Sequence, residues 1–169
     1  WPSQQLVSQI CGQGCHIVAK QPKSALYCGG EENRKLLWRF SFSEAEKTLF
    51  REGSQGQASS CRKQVLRILK ALRLDLNMGP LKSYHLKTII LYECETYPRH
   101  SDWSHDKLQD RFNSAIRRLL DCLGQRYCPH YFIKSLNLFE SFGSCSQLIR
   151  TVEELAINPG RKIEQILSR

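Results

Sequence analysis

The strongest regularity along the chain is helical. From Arg62 to about Leu76, Val65, Leu66, Ile68, Leu69, Leu72 and Leu76 give one apolar face, and Gly79-Pro80 ends the segment. From Tyr84 to Tyr97, Leu86, Ile89, Ile90 and Cys94 recur at helical spacing, with Ser83 expected as the N-cap and Pro98 as the stop. From about Asp106 to Leu123, Leu108, Phe112, Ile116, Leu119, Leu120 and Leu123 form the clearest amphipathic stripe, with Gly124 expected to close it. Ser144 with Gln147 is expected to open a helix through Ile157, and Asn158-Pro159 a short last one. Between these helices, Tyr131-Phe132 and Leu136 to Phe139 read as an irregular aromatic segment that packs across them.

The first sixty residues follow another rhythm. Residues 1–37 carry Gly, Pro and short polar stretches, with Ile17-Val18-Ala19 a candidate strand. Trp38 to Ser43 alternates large apolar with polar residues, the period of a half-buried strand. Ser43 is then expected to cap a helix over Glu44 to Arg51, with Glu46 completing a capping box. The Gly, Ser and Gln of Glu52 to Ser60 predict a loop. The expected fold is mainly α, with one or two short strands at the N-terminal end. Two parts are expected, 1–60 carrying the strands and 61–169 the helices, packed as one compact domain.

Composition changes this picture little, but charge does. With 169 residues, 41% hydrophobic and 24% charged, the chain suits one globular domain. No apolar run is long enough to predict a membrane-spanning helix. The chain opens on Trp1 with no leader-like stretch behind it, so it is expected to be a piece of a longer protein. Of the net charge of +9, residues 61–100 carry +5, which points to an anionic partner such as phosphate or nucleic acid, or to a solvated basic helix. Eight cysteines without a Cys-x-x-Cys pair, several inside helical patterns, read as reduced thiols. Cys11, Cys15 and His16 lack a fourth ligand at zinc-finger spacing, so no zinc is expected.

Two clusters are candidates for ligand contact. Lys63, Arg67 and Lys70, spaced by four and three, share one helical face suited to phosphates; the alternative is an ordinary solvated face. Lys82-Ser83-Tyr84-His85 falls at a helix start, where free N–H groups attract an anion and Tyr84 could stack on a base; the alternative makes Ser83 a cap and Tyr84 a core aromatic. Signals for catalysis are weak. There is no Gly-x-Ser-x-Gly elbow and no phosphate loop, and the paired carboxylates considered for magnesium are Glu44/Glu46 and Glu153/Glu154.

Trp38-Arg39-Phe40-Ser41-Phe42-Ser43-Glu44-Ala45-Glu46, Cys61-Arg62-Lys63, Ser83-Tyr84-His85-Leu86-Lys87-Thr88, and His130-Tyr131-Phe132 with Asn137-Leu138-Phe139 occur in one order. That order resembles the C-terminal half of the Mab-21 family, to which cyclic GMP–AMP synthase belongs. Tyr92-Glu93-Cys94-Glu95, Trp103 and Cys128-Pro129-His130-Tyr131-Phe132 are nearer to Mab-21-like proteins than to the synthase. The resemblance runs from about Trp1 to Phe139.

It implies the helical C-terminal lobe of a two-lobed nucleotidyltransferase fold, closing a nucleotide cleft, with residues 1–60 connecting to an N-terminal lobe outside this chain. It implies that Tyr84 stacks on a nucleobase, that Lys70 and Ser83 meet phosphates, and that Arg39, Ser41 and Glu46 line the base pocket. Lys63 and Arg67 match a basic helix that lies near double-stranded nucleic acid in sensing members. The family's zinc thumb has no counterpart in 52–60, which holds neither His nor Cys. The implied partners are ATP- or GTP-like nucleotides, nucleic acid and the N-terminal lobe, with no membrane, in the cytoplasm or nucleus. Magnesium or manganese is expected only in a catalytic parent, which would join nucleotides into a cyclic dinucleotide in innate immune sensing. The alternative is a non-catalytic binding or protein-interaction module.

Overall fold

The computed structural model describes residues 1–19, 38–52 and 60–160. They fall into two units, one of residues 2–52 and one of residues 53–169 together with Trp1.

The first unit opens with helix α1 (Gln4–Gln13), an element the hydrophobic pattern does not announce, because Leu6 is its one buried side chain. Local chemistry starts and stops it. The Ser3 hydroxyl accepts the Leu6 N–H at 3.3 Å, and Gly14 turns the chain out at φ 66°. The chain then enters β1 (His16–Ala19), which pairs antiparallel with β2 (Trp38–Ser41) in the register Ile17 to Phe40 and Val18 to Arg39. Directly opposed residues share a face, so Ile17, Trp38 and Phe40 lie on one side and Val18, Arg39 and Ser41 on the other. Helix α2 (Ser43–Glu52) follows, burying Ala45, Glu46, Leu49 and Phe50. It begins at Ser43 itself, one residue earlier than expected, and the Glu46 N–H bonds the Phe42 carbonyl at 2.8 Å.

The second unit is the helical one. Helices α3 (Arg62–Asp75), α4 (Ser83–Thr96), α5 (Leu108–Gln125) and α6 (Ser146–Ile157) occupy the predicted segments. Helix α4 buries eight of its fourteen residues and packs between α3 and α5, with α6 on the outer side of α5. A helix apolar on most sides belongs in the middle of a bundle. Trp103, on a 3₁₀ turn (His100–Trp103), is wholly buried. Its indole N–H donates to the Tyr97 carbonyl at 2.9 Å, and its own carbonyl accepts the Cys61 N–H at 2.8 Å, just ahead of α3.

Three ends differ from the sequence reading. Lys82, not Ser83, is the N-cap of α4, and no side chain caps it in the usual sense; the Lys82 N–H donates to Nδ1 of His85 at 3.1 Å. Gly124 lies inside α5, which stops two residues later where Arg126 adopts φ 51°. Helix α6 starts at Ser146 after Cys145, so Ser144 lies outside it. Pro159 and Gly160 are helical, and residues 161–169 lie outside the described residues, as does nearly all of the expected loop 52–60. The seven cysteines described are free, and Cys28 lies outside the described residues.

Candidate nucleotide-contacting site

Helices α3 and α4 form an antiparallel hairpin, and the turn between them is tied by Arg73, whose guanidinium donates to the Leu81 carbonyl at 3.0 Å. Lys70 is therefore near the same end of the hairpin as Ser83 and Tyr84. Lys63 lies seven residues, about 10 Å of helix rise, farther along. Lys63 and Arg67 are exposed and Lys70 is half-buried, all away from the buried face of Val65, Leu66, Leu69 and Leu72. The predicted row of cations exists on the solvent side of α3.

The start of α4 is held by two histidines. His85, 5% exposed, accepts the Lys82 N–H and presents its ring edge-on to Phe139 and Phe142, with centroids 5.4 and 5.1 Å away. Burial, and secondarily the charge of Lys82, lowers its pKa from 6.5 to about 4, so the ring is neutral at pH 7. His130 comes from the irregular segment after α5. Its Nδ1 accepts the backbone N–H groups of Phe132 at 3.1 Å and Ile133 at 3.0 Å. The same nitrogen lies 3.3 Å from the Tyr84 hydroxyl, and the two rings are 4.8 Å apart at 31°. Burial lowers the His130 pKa too, with Lys134 as the lesser cause. Tyr84 is thus half-buried with one side against His130, neither a full core residue nor a free ring. The first turn of α4 has no acidic residue, and Lys82 flanks it, so its N-terminus is electropositive.

The other predicted contacts are in the first unit. Arg39 is exposed on β2, and Ser41, two residues on, is half-buried on the same face of the sheet. Glu46 is buried on α2. A concavity of about 470 Å³ is lined by Ile17, Trp38, Arg39 and Phe40. Ile17, Trp38 and Phe40, 61%, 58% and 58% exposed, form one apolar face of the sheet.

Among the described residues, the carboxylates singled out from the sequence do not converge. Glu44 is exposed and paired with Lys47 at 2.7 Å, Glu46 points into the unit's interior, and Glu153 and Glu154 are exposed on α6. Among the described residues no three His, Cys, Asp or Glu side chains, Cys11, Cys15 and His16 included, are grouped to hold a metal ion.

His85, His130 and Arg62 lie outside the periodic signals of the sequence. Arg62, the first residue of α3, is 1% exposed, with its guanidinium 5.2 Å from the Trp103 ring and 6.0 Å from that of Trp1. Among the described residues, none of its three nitrogens has a hydrogen-bond partner. Its place in the Cys61-Arg62-Lys63 motif is the one sequence signal that marks it.

Comparison with protein families gives two matches. Residues 61–156 match the Mab-21 protein HhH/H2TH-like domain, and residues 1–52 match the Mab-21 protein nucleotidyltransferase domain. The gap between the matches, 53–60, coincides with the change from the first structural unit to the second.

Proposed function

Since the chain belongs to the Mab-21 family and carries segments of both its nucleotidyltransferase and its helical domain, we propose that it binds nucleotides. On the helical unit, Tyr84 meets the base while Lys70 and the Ser83 end of α4 meet the phosphates. On the first unit, Arg39 and Ser41 are the candidates for base recognition, whereas Glu46, expected to join them, is buried on α2. The observation that carries this reading is the Tyr84 ring, held by His130 beside an electropositive helix start whose first turn holds no acidic residue. A flat aromatic face next to an electropositive helix start is what a nucleoside phosphate takes.

The parent activity we propose is nucleotide transfer of the cyclic-dinucleotide type, in innate immune sensing, in the cytoplasm or nucleus. Magnesium there would clamp the transferring phosphoryl group, held by residues outside those described. Lys63 and Arg67 would meet double-stranded nucleic acid. A second reading, a non-catalytic interaction module, is favoured by the exposed apolar face of Ile17, Trp38 and Phe40.

Titration with ATP, GTP and the bare nucleosides tests the proposal. Base stacking is worth about 1–3 kcal/mol, so Tyr84→Ala is expected to weaken binding roughly five- to hundredfold. Tyr84→Phe keeps the ring and should stay close to the parent, because the hydroxyl contact is long and shares an acceptor already used twice. Lys70→Ala should weaken triphosphates more than nucleosides. A Tyr84→Ala protein that melts normally and binds as tightly as the parent refutes the role of Tyr84.

A further inference from the structure

The start of α3 lies at the opposite end of that helix from Lys70, about 12 Å of helix rise away, and it holds a charge that no neighbour neutralises. Arg62 is the first residue of α3 and is 1% exposed, yet its Nε, Nη1 and Nη2 have no hydrogen-bond partner among the described residues. Its surroundings are aromatic. The guanidinium carbon lies 5.2 Å from the centre of the Trp103 ring and 6.0 Å from that of Trp1, and the Trp103 carbonyl accepts the N–H of Cys61, the N-cap of α3. A side chain at the first helical position leans back towards the helix start, so the guanidinium sits at that end. Indole faces attract a cation but offer its five N–H donors no oxygen. The charge of Arg62 acts on the Cys94 thiol, but burial pushes that thiol up to about 12, so it stays neutral and supplies no countercharge.

Other groups at this helix start are donors as well. The Trp1 indole N–H is buried and has no partner among the described residues. The Ser60 hydroxyl accepts the Arg62 backbone N–H at 3.3 Å, which leaves its own proton to give. No side chain caps α3 and its first turn holds no acidic residue, so the positive end of the helix dipole points to the same place. Lys63, exposed on that turn, adds a further positive charge. A second guanidinium, Arg111 of α5, lies 3.3 Å over the Tyr97 ring, with its Nε and Nη1 again unpartnered among the described residues. The Tyr97 carbonyl accepts the Trp103 indole N–H, so both guanidiniums lie against one aromatic corner, Tyr97 with Trp103. A buried charge without an acceptor is unfavourable, and folded proteins pair such a charge or bind an ion against it. We propose that the start of α3 binds a free tetrahedral oxyanion of the phosphate type. The planar fork of Arg62 takes two of its oxygens, and the Trp1 indole N–H and the Ser60 hydroxyl take the others. Four oxygens suit donors from three side chains better than the two of a carboxylate or the single atom of a halide. Because Arg62 is almost wholly buried, the site takes a small ion and not a nucleic-acid backbone, which separates it from the contacts proposed for Lys63, Arg67 and Lys70.

Calorimetric titration of the chain with inorganic phosphate, at constant ionic strength and in a buffer free of other oxyanions, tests the proposal. One phosphate per chain is expected, displaced by neither acetate nor chloride at equal concentration. Arg62→Met should bind about tenfold or more weakly, whereas Lys63→Ala with Arg67→Ala should keep the site. Phosphate should also raise the melting temperature of the parent more than that of Arg62→Met. Its general salting effect acts on both proteins alike, so the difference reads the site. If Arg62→Met melts early, Arg62→Lys keeps the charge, loses the fork and should bind several-fold more weakly than the parent. Absence of phosphate binding to the parent overturns the proposal, as does equal binding by parent and Arg62→Met. Binding that disappears with Lys63 and Arg67 but survives Arg62→Met also overturns it, by placing the anion on the solvent face of α3.

Discussion

Acidification is expected to destabilise the helical unit through His85, the residue that holds the start of α4. Its folded pKa, about 4, lies below the 6.5 of the unfolded chain. Between those values the unfolded chain takes up a proton that the folded ring refuses, so stability is fully present above pH 6.5 and is lost as pH falls towards 4. The full difference corresponds to about 3 kcal/mol, of which roughly 2.5 kcal/mol is already lost at about pH 4.5. That is a large share of a typical domain stability of about 5–15 kcal/mol. The cause is structural. A charged ring would face Lys82 on its own helix and the rings of Phe139 and Phe142 from the aromatic segment, and its Nδ1 would lose the ability to accept the Lys82 N–H. His130, shifted the same way, adds to the effect, so the His85 share has to be isolated. His85→Asn does so, because its amide oxygen can accept the Lys82 N–H and does not titrate. Urea denaturation of parent and variant at constant ionic strength, from about pH 7 to pH 4.5, should show the parent losing roughly 2–3 kcal/mol more than the variant. Parallel pH profiles, or an NMR titration of His85 with a midpoint above 6, would refute the reasoning.

Asn137 fastens the segment that carries His130: its oxygen accepts the N–H groups of Cys128 and Phe139, and its amide donates to the Arg126 carbonyl at 3.0 Å. Asn137→Ala is expected to cost about 2–4 kcal/mol in chemical denaturation, and Asn137→Asp, which keeps the acceptor, clearly less. Arg62→Met keeps the volume of the stem and removes a buried charge that has no hydrogen-bond acceptor, so it should leave the melting temperature unchanged or raise it; Arg62→Ala opens a cavity and should cost about 2–5 kcal/mol. A melting temperature for Arg62→Met well below that of the parent would show that the guanidinium is bonded in solution. If Lys63 and Arg67 touch phosphates, the affinity for double-stranded nucleic acid should fall steeply with salt, and neutralising both should reduce the slope of log affinity against log salt by roughly 2. An unchanged slope places the binding surface elsewhere.

The helices α3 to α6 were legible because an amphipathic stripe is written locally: leucine, isoleucine and phenylalanine at spacings of three and four decide which face leaves water, whatever covers it. The alternation of Trp38 to Ser43 identified β2 for the same reason, and the row Lys63, Arg67, Lys70 lay on the polar side of a stripe already visible. Helix α1 was not legible, since one buried leucine makes no stripe, and its cap at Ser3 and stop at Gly14 are single-residue signals. Helix ends also escaped, because Lys82 and Arg126 occupy places where Ser83 and Gly124 satisfy the usual preferences; His85 accepts the Lys82 N–H, and Arg126 takes the left-handed turn. Most of the site belongs to this second kind. The sequence by itself singled out the candidates for contact with an anion or a base. Only the tertiary structure decided that His130, forty-six residues from Tyr84, backs its ring, that His85 is neutral between two phenylalanines, and that the charged Arg62 is buried against Trp103. The physical reason is that periodicity specifies which faces are buried, whereas the protonation and orientation of a polar side chain depend on which remote groups the packing brings against it.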